Sequence, residues 1–236
     1  MVFYSKFAPW YDLIFPFKPT VYDFLSRVIT ENTRDVLDVG CGTGHYTARF
    51  TQQGFKALGI DLDAAMINYA RIKYPQTEFI IMNMLDLDSI ERSFDYMYCI
   101  GNTVAHLTKN ELAYTLKSVY EHLRSGGIWC FQVLNWDYVT QQQEYRFPVL
   151  TAEGDLQFIR TYTDISRESV TFNTQLFKQG RTIFDESVIL YPILFEDYNK
   201  IHTEYGFKLL GIYSDFQRSE FDPARDSAEI CVFQKL

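Results

Sequence analysis

The 236-residue chain contains no apolar run near the roughly 18 residues that a membrane-crossing helix needs. Its aromatic beginning, MVFYSKFAPWYDLIFPF, also lacks the unbroken apolar stretch of an export signal, because Asp12 and two prolines interrupt it. A cytoplasmic protein without a membrane partner is the expectation. Basic residues are in the minority, 22 against 30 acidic ones, for a formal charge of −8. A field of that sign repels phosphate backbones and argues against general nucleic-acid binding. Only four cysteines occur, at 41, 99, 130 and 231, and none forms a C-x-x-C pair. That spacing fits neither a zinc site nor a disulfide framework, and reduced thiols are expected. No metal constellation, internal repeat or low-complexity tract is visible. What is plentiful is apolar and aromatic: 47% hydrophobic residues and 17% aromatic ones. This suffices for one sizeable core, and a single domain over 1–236 is expected.

The organisation follows from hydrophobic period. Residues 1–32 read as an irregular aromatic segment followed by a helix over about 18–31, together covering the site. An alternation then begins, with strands at 35–39, 57–60, 79–82, 94–100 and 128–134. Helical periods fall at 43–53, 64–73 and 109–123. Strands alternating with helices imply a largely parallel sheet covered on both faces. The rhythm changes at 145–192, where stretches at 156–165, 169–178 and 182–191 read as an antiparallel meander. A helix at 196–205 and strands at 207–213 and 228–234 complete the chain. The β-rich insertion reads as a lid or substrate region, because a cleft at the carboxyl ends of the strands needs a wall. The alternative is a second sheet that only enlarges the fold.

The informative segment is Val36-Leu37-Asp38-Val39-Gly40-Cys41-Gly42-Thr43-Gly44, between the first strand and its helix. Glycines there allow a sharp turn, close approach to a ligand and free N–H groups at a helix start. The dinucleotide fingerprint requires its third glycine at 45, which is His, and no Walker lysine follows. The loop leaves the nucleotide class open but points away from pyrophosphate cofactors. Two carboxylates sharpen this. Asp38, half buried in the strand, calls for a cationic partner or strong donors. Asp61, at the end of the second strand, can accept from both hydroxyls of a ribose. S-adenosylmethionine, with a ribose, an ammonium, a sulfonium and no pyrophosphate, meets both demands.

Asp38 to Gly44 resembles the first motif of the class I S-adenosylmethionine-dependent methyltransferases. Gly59-Ile60-Asp61 with Leu62, Asp63 and Met66 resembles their acidic second-strand motif. Phe79 to Asp86, Phe94 to Cys99 and Leu123 to Gly127 resemble three later ones, in order over about 34–135. The resemblance implies an α/β, Rossmann-like, seven-stranded, mostly parallel sheet with helices on both faces and its last strand antiparallel, plus the β-rich antiparallel insertion as lid. It implies S-adenosylmethionine as cofactor and S-adenosylhomocysteine as product. Gly40, Cys41, Gly42 and Gly44 would pack against the methionyl part, with Asp38 near its ammonium. Asp61 would hold the ribose, Leu62 and Met66 the adenine faces, and Asn83, Met84 and Leu85 its edge. Cys99, Ile100 and Gly101 would line the floor under the sulfonium.

For the acceptor, Gly101-Asn102-Thr103-Val104-Ala105-His106-Leu107 lacks the Pro-Pro signature of DNA and glutamine amino-methyltransferases. It resembles a stretch of glycine- and sarcosine-type and amino-sugar N-methyltransferases. The resemblance implies transfer to a small molecule at nitrogen, with an O- or C-methyltransferase and a non-catalytic cofactor-binding protein as alternatives. A nicotinamide-dependent reductase and a methylase of basic peptides are further readings. Asn102 can orient an amine or carboxylate, and His106 can take a proton, bond a carboxylate or merely fix its loop. Tyr4 to Asp12 is similar to a segment that folds over the cofactor in relatives, which brings Tyr4 and Tyr11 to the pocket. Trp136 and Tyr138 follow the fifth strand at the ligand rim. Arg160 and Tyr191, in the insertion, can recognise an acidic or sugar acceptor. A monomer or homodimer is expected.

Overall fold

The computed structural model describes residues 2–236, with side chains from Lys6 onward. Two helices, α1 (Val2–Ile14) and α2 (Pro19–Arg27), precede an alternating run. That run comprises β1 (Asp35–Val39), α3 (His45–Gln52), β2 (Lys56–Asp61), α4 (Ala64–Lys73), β3 (Glu78–Ile81), β4 (Phe94–Cys99), α5 (Lys109–His122) and β5 (Leu123–Leu134). A short helix α6 (Trp136–Val139) leads into β6 (Tyr145–Arg146), β7 (Leu150–Ala152), β8 (Leu156–Thr163), β9 (Val170–Lys178) and β10 (Arg181–Leu190). Helix α7 (Phe195–Glu204), β11 (Phe207–Tyr213) and β12 (Ala228–Lys235) close the chain.

The main sheet has seven strands in the order β11-β12-β5-β4-β1-β2-β3. Strands β3, β2, β1, β4 and β5 run parallel. Only β12 opposes them, pairing antiparallel with β5 and β11. Both faces are covered, which explains the near-continuous apolar strands. On one face Val36, Tyr96, Tyr98, Ile128 and Cys130 pack with Phe24, Leu25 and Phe50 of α2 and α3. On the other, Leu37, Val39, Met97, Trp129 and Phe131 pack with Leu112, Leu116 and Val119 of α5 and Tyr198 of α7. Chain order reverses at β1, with β2 on one side and β4 on the other, so a cleft opens at their carboxyl ends. Strands β6 to β10 form a second, antiparallel sheet inserted between β5 and α7.

The beginning of the chain departs from expectation. Residues 2–14 form a helix rather than an irregular segment. Phe7, Tyr11 and Phe15 recur four residues apart, which puts the three rings on one side of the helix. Pro9, inside the helix, forgoes one backbone hydrogen bond and crowds the preceding turn, a cost the packing of these rings offsets. Phe7 stacks on Phe158 of the second sheet at 4.7 Å and meets Phe184 edge-on at 5.5 Å. Ile14 and Met66 of α4 join the same cluster. Helix α1 is thus the wedge between α4 and the second sheet. Among the described residues no helix is long and apolar enough to cross a membrane.

Two ionisable groups sit deep in the sheet layer. His202 is fully buried, and burial holds its imidazole down at about 3. Its Nδ1 bonds the Tyr198 carbonyl at 2.6 Å, and its Nε2 accepts from the Trp129 indole at 3.2 Å. The neutral Nδ1–H tautomer satisfies both contacts. Glu229, on β12, is also buried, and neither carboxyl oxygen has a hydrogen-bond partner among the described residues. Burial, reinforced by Asp137, lifts this carboxyl from 4.5 to about 8.

The folded protein therefore keeps the Glu229 proton where an unfolded chain has lost it. The stabilisation from keeping it is complete below about 4.5 and disappears as pH rises through about 8. Glu229→Gln, which has no proton to lose, is expected to match the native protein in urea denaturation at pH 4.5. At pH 9 it should exceed it by on the order of a few kcal/mol. An equal effect at both pH values would mean that the carboxyl is ionised in the fold.

Candidate active site

The glycine turn is pinned from the neighbouring strand. The N–H groups of Gly40 and Cys41 both donate to the Ile60 carbonyl, at 2.8 and 2.9 Å. The Gly42 N–H donates to Asp61 Oδ2 at 2.8 Å, and the Asp63 N–H to Asp61 Oδ1 at 2.9 Å. Asp63 in turn caps α4 by accepting from the Ala65 and Met66 N–H groups. The glycines differ in purpose. A Cβ on Gly42 would lie 3.7 Å from the Tyr11 ring, an ordinary contact. A Cβ on Gly44, whose φ is +77°, would lie 2.4 Å from the Phe79 ring. Gly44 thus serves the packing of α3 and its loop against β3 and α4, away from the cavity.

Asp61 opens onto a cavity of about 240 Å³ at the carboxyl ends of β1, β2 and β4. Of the residues singled out from sequence, Tyr11, Gly40, Gly42, Asp61, Leu62, Met66, Asn83, Met84, Leu85, Ile100, Gly101 and His106 line it. Ile60, Asp63, Met82, Thr103, Leu107 and Glu111 also line it and were not anticipated. Leu107 and Glu111 lie one and five positions after His106, and that proximity is the signal that could have found them. Among the described residues the lining holds three carboxylates, Asp61, Asp63 and Glu111, and no lysine or arginine. Burial pushes the Asp61 carboxyl up despite its two backbone donors. Glu111 is held below the usual range by the Thr108 hydroxyl and N–H. An acidic recess with apolar walls of Leu62, Met84 and Leu85 favours a cationic ligand with a flat apolar part and disfavours pyrophosphate.

Asp38 lies beneath the loop and outside the cavity wall, 3% exposed. Its Oδ2 accepts from the Thr47 hydroxyl at 2.6 Å and the Tyr98 hydroxyl at 2.8 Å. Burial raises it to about 7 against those two bonds, with Asp61 adding to the rise. Cys41, Gly44 and Cys99 are likewise behind the wall. Tyr4 belongs to α1, but its side chain lies outside the described residues.

The loop after β4 forms the other side. Asn102 is expected to face an acceptor, yet its side chain is engaged at both ends. Its Oδ1 accepts from the Leu134 N–H at 2.9 Å, and its Nδ2 donates to the Tyr162 hydroxyl at 3.1 Å. It adopts φ +65°, a left-handed conformation that Asn tolerates. Asn102 therefore ties β4, β5 and β8 together and aims the turn Thr103–His106 at the cavity. Burial lowers the His106 imidazole to about 4, so it is neutral at physiological pH.

Helix α1 closes the third side with Tyr11 and is fastened by the residue next to it. The Asp12 carboxylate accepts from the Thr43 hydroxyl at 2.5 Å and from Lys73 Nζ, and lies 3.7 Å from His45 Nδ1. Burial raises Asp12, but hydrogen bonds from His45, Lys73 and Thr43 outweigh it and hold the group at about 2. One carboxylate thus joins α1 to the glycine loop, α3 and α4.

The four residues proposed for the acceptor rim lie off the cavity wall. Trp136 is a core residue, 1% exposed and stacked on Tyr162 at 5.6 Å. It turns inward because the second sheet covers the end of β5. Tyr138 packs against the same core. The Tyr191 N–H donates to the Ala105 carbonyl at 2.8 Å, securing the second sheet to the β4 loop. Arg160 projects from β8 among three phenyl rings, Phe147, Phe15 and Phe158.

Comparison with known proteins gives the same picture. The methyltransferase domain family matches residues 36–127. YqeM of Bacillus subtilis (strain 168) is 26% identical over 231 residues, covering 92% of this chain and 91% of its own. Glycine/sarcosine N-methyltransferase of Parasynechococcus marenigrum (strain WH8102) is 25% identical over 213 residues, 85% and 73% of the two chains. Among solved structures, an S-adenosylmethionine-dependent methyltransferase of Clostridium acetobutylicum ATCC 824 superposes with a TM-score of 0.82 at 19% identity, covering 98% of each chain.

Asp61→Ala is expected to weaken S-adenosylhomocysteine binding by about 1–3 kcal/mol in calorimetric titration, because ribose hydroxyls lose their acceptor. Unchanged affinity would remove the ribose role. Gly44→Ala should cost about 2–4 kcal/mol of folding stability through left-handed strain and the Phe79 clash. A urea midpoint equal to that of the native protein would show that β3 yields freely.

Proposed function

Because the chain belongs to the class I S-adenosylmethionine-dependent methyltransferases, its acceptor is the open chemistry, and we propose that it methylates nitrogen in a small-molecule amine. The residues present suit the cofactor. Asp61 offers oxygens to the ribose, Leu62, Met66, Met84 and Leu85 give an apolar slot for the adenine, and the acidic lining favours its positive charges. When bound, S-adenosylmethionine supplies an electrophilic methyl group on positively charged sulfur and leaves as S-adenosylhomocysteine.

The observation that carries the nitrogen reading is the neutral imidazole of His106 on the cavity wall. An imidazole held near 4 is too weak a base to take a proton from an alcohol or an ammonium. It can accept a hydrogen bond from the N–H of a free amine and turn the lone pair toward the methyl carbon. A free amine needs no stronger base, since its nitrogen forms the new N–C bond with its own lone pair. The nitrogen becomes positive in that step and sheds one proton to water afterwards. Tyr11 brings an aromatic ring to the same cavity, which suits a cationic centre. The glycine/sarcosine relative, whose name specifies nitrogen transfer, supports the same reading.

Purified protein with S-adenosylmethionine and a panel of amines, alcohols and phenols, read by S-adenosylhomocysteine release, tests this. Turnover confined to amines is expected, and turnover of hydroxyl acceptors alone would overturn it. His106→Ala should lower kcat about tenfold with the best amine while S-adenosylhomocysteine affinity stays within about threefold. Equal losses in both would make His106 a structural residue.

A further inference from the structure

Glu111 lines the cavity from the first turn of α5. One of its oxygens is spent locally. Oε2 accepts from the Thr108 N–H at 2.8 Å and from the Thr108 hydroxyl at 2.7 Å, and the Glu111 N–H donates back to that hydroxyl at 3.3 Å, a reciprocal box that starts the helix. Oε1 has no hydrogen-bond partner among the described residues. The Thr108 bonds also hold the carboxyl below its usual range, so at neutral pH it accepts hydrogen bonds and donates none. A half-buried, ionised oxygen on a cavity wall calls for a donor from the ligand.

The place of Glu111 selects that donor. Helix α5 packs along the short 3-10 helix Met84–Ser89. Tyr114, three residues after Glu111 and so on the same face of α5, donates to Asp88 of that short helix at 3.2 Å. Glu111 therefore belongs to the wall that Met84 and Leu85 form. The other polar side chains of this slot are committed. Asn83 Oδ1 accepts from the Leu85 N–H at 3.1 Å, which leaves the Asn83 amide nitrogen as a donor. Asp61 accepts two backbone N–H groups and offers its oxygens to the ribose. Asp63 is 3% exposed and caps α4. An adenine edge carries an amino donor flanked by ring-nitrogen acceptors. The Asn83 amide nitrogen suits a ring nitrogen, and Glu111 Oε1 suits the amino group.

We propose that Glu111 reads the 6-amino group of the cofactor's adenine and so determines which base the enzyme accepts; this rests on the adenine slot of Leu62, Met84 and Leu85 and not on the identity of the methyl acceptor. S-adenosylhomocysteine and its 6-deamino analogue, with hydrogen in place of the amino group, are titrated calorimetrically into wild type, Glu111→Gln and Met84→Ala. Glutamine keeps the helix cap, because its amide oxygen takes the Thr108 N–H. Its NH2 then turns to the cavity, a donor facing a donor. Melting curves report whether each variant folds. Wild type is expected to bind the amino compound at least tenfold more tightly than the deamino one. Glu111→Gln should narrow that preference to within about twofold, through weaker binding of the amino compound alone. Met84→Ala should weaken both ligands about equally and keep the preference.

The proposal fails if wild type does not distinguish the two ligands, or if Glu111→Gln keeps the tenfold preference. It also fails if Glu111→Gln weakens both ligands equally, which would make Glu111 a residue that only holds its helix. Unchanged binding of both ligands by Met84→Ala would place the adenine elsewhere and remove the slot together with the proposal. None of these titrations contains a methyl acceptor, so the amine reading stands or falls separately.

Discussion

The bond from the Gly42 N–H to the Asp61 carboxylate is the constraint on which the site depends. It joins the turn after β1 to the end of β2, and the partner oxygen of the same carboxylate holds the start of α4 through the Asp63 N–H. Three elements that bound the cavity are thereby positioned by one side chain. Because both donors are neutral backbone groups, Asp61 keeps its negative charge available to the cavity. Burial makes that charge costly, and the backbone donors offset the cost.

Electrostatics divides the interior into two regions. The cavity walls carry Asp61, Asp63 and Glu111, and the second sheet carries Arg160. His106 also lines the cavity, and burial disfavours its charged form. Asn102 holds the second sheet to this end of the main one, since its amide links the β4 turn to β5 on one side and to β8 on the other.

Much of the main sheet was legible because its central strands, β1, β2, β4 and β5, are largely apolar runs buried on both faces. The ends were less so. Residue Leu123 begins β5 five positions before the apolar run at Ile128, where a glycine pair hides strand geometry. Helix α1 escaped because Pro9 and Asp12 break the usual helical appearance, although Phe7, Tyr11 and Phe15 keep its period. The residues expected on the cofactor side came from one loop, one strand end and the family resemblance, and most of them line the cavity. The acceptor side was harder. Asn102, Trp136 and Tyr191 are spent on holding the second sheet to the first, and such long-range bonds leave no trace in local sequence. Gly44 was given a ligand role because its neighbours have one, whereas its need arises from Phe79, thirty-five positions away.

The fastening of α1 has a temporal consequence. Asp12 touches the glycine loop, α3 and α4 at once, and Phe7 is stacked into the second sheet beside it. A molecule passing Tyr11 thus meets a latch whose contacts must part together, not a side chain that swings alone. The readiness of this side of the cavity to part is therefore set by the whole cluster and not by any one of its contacts, whatever the speed of the chemistry beside it.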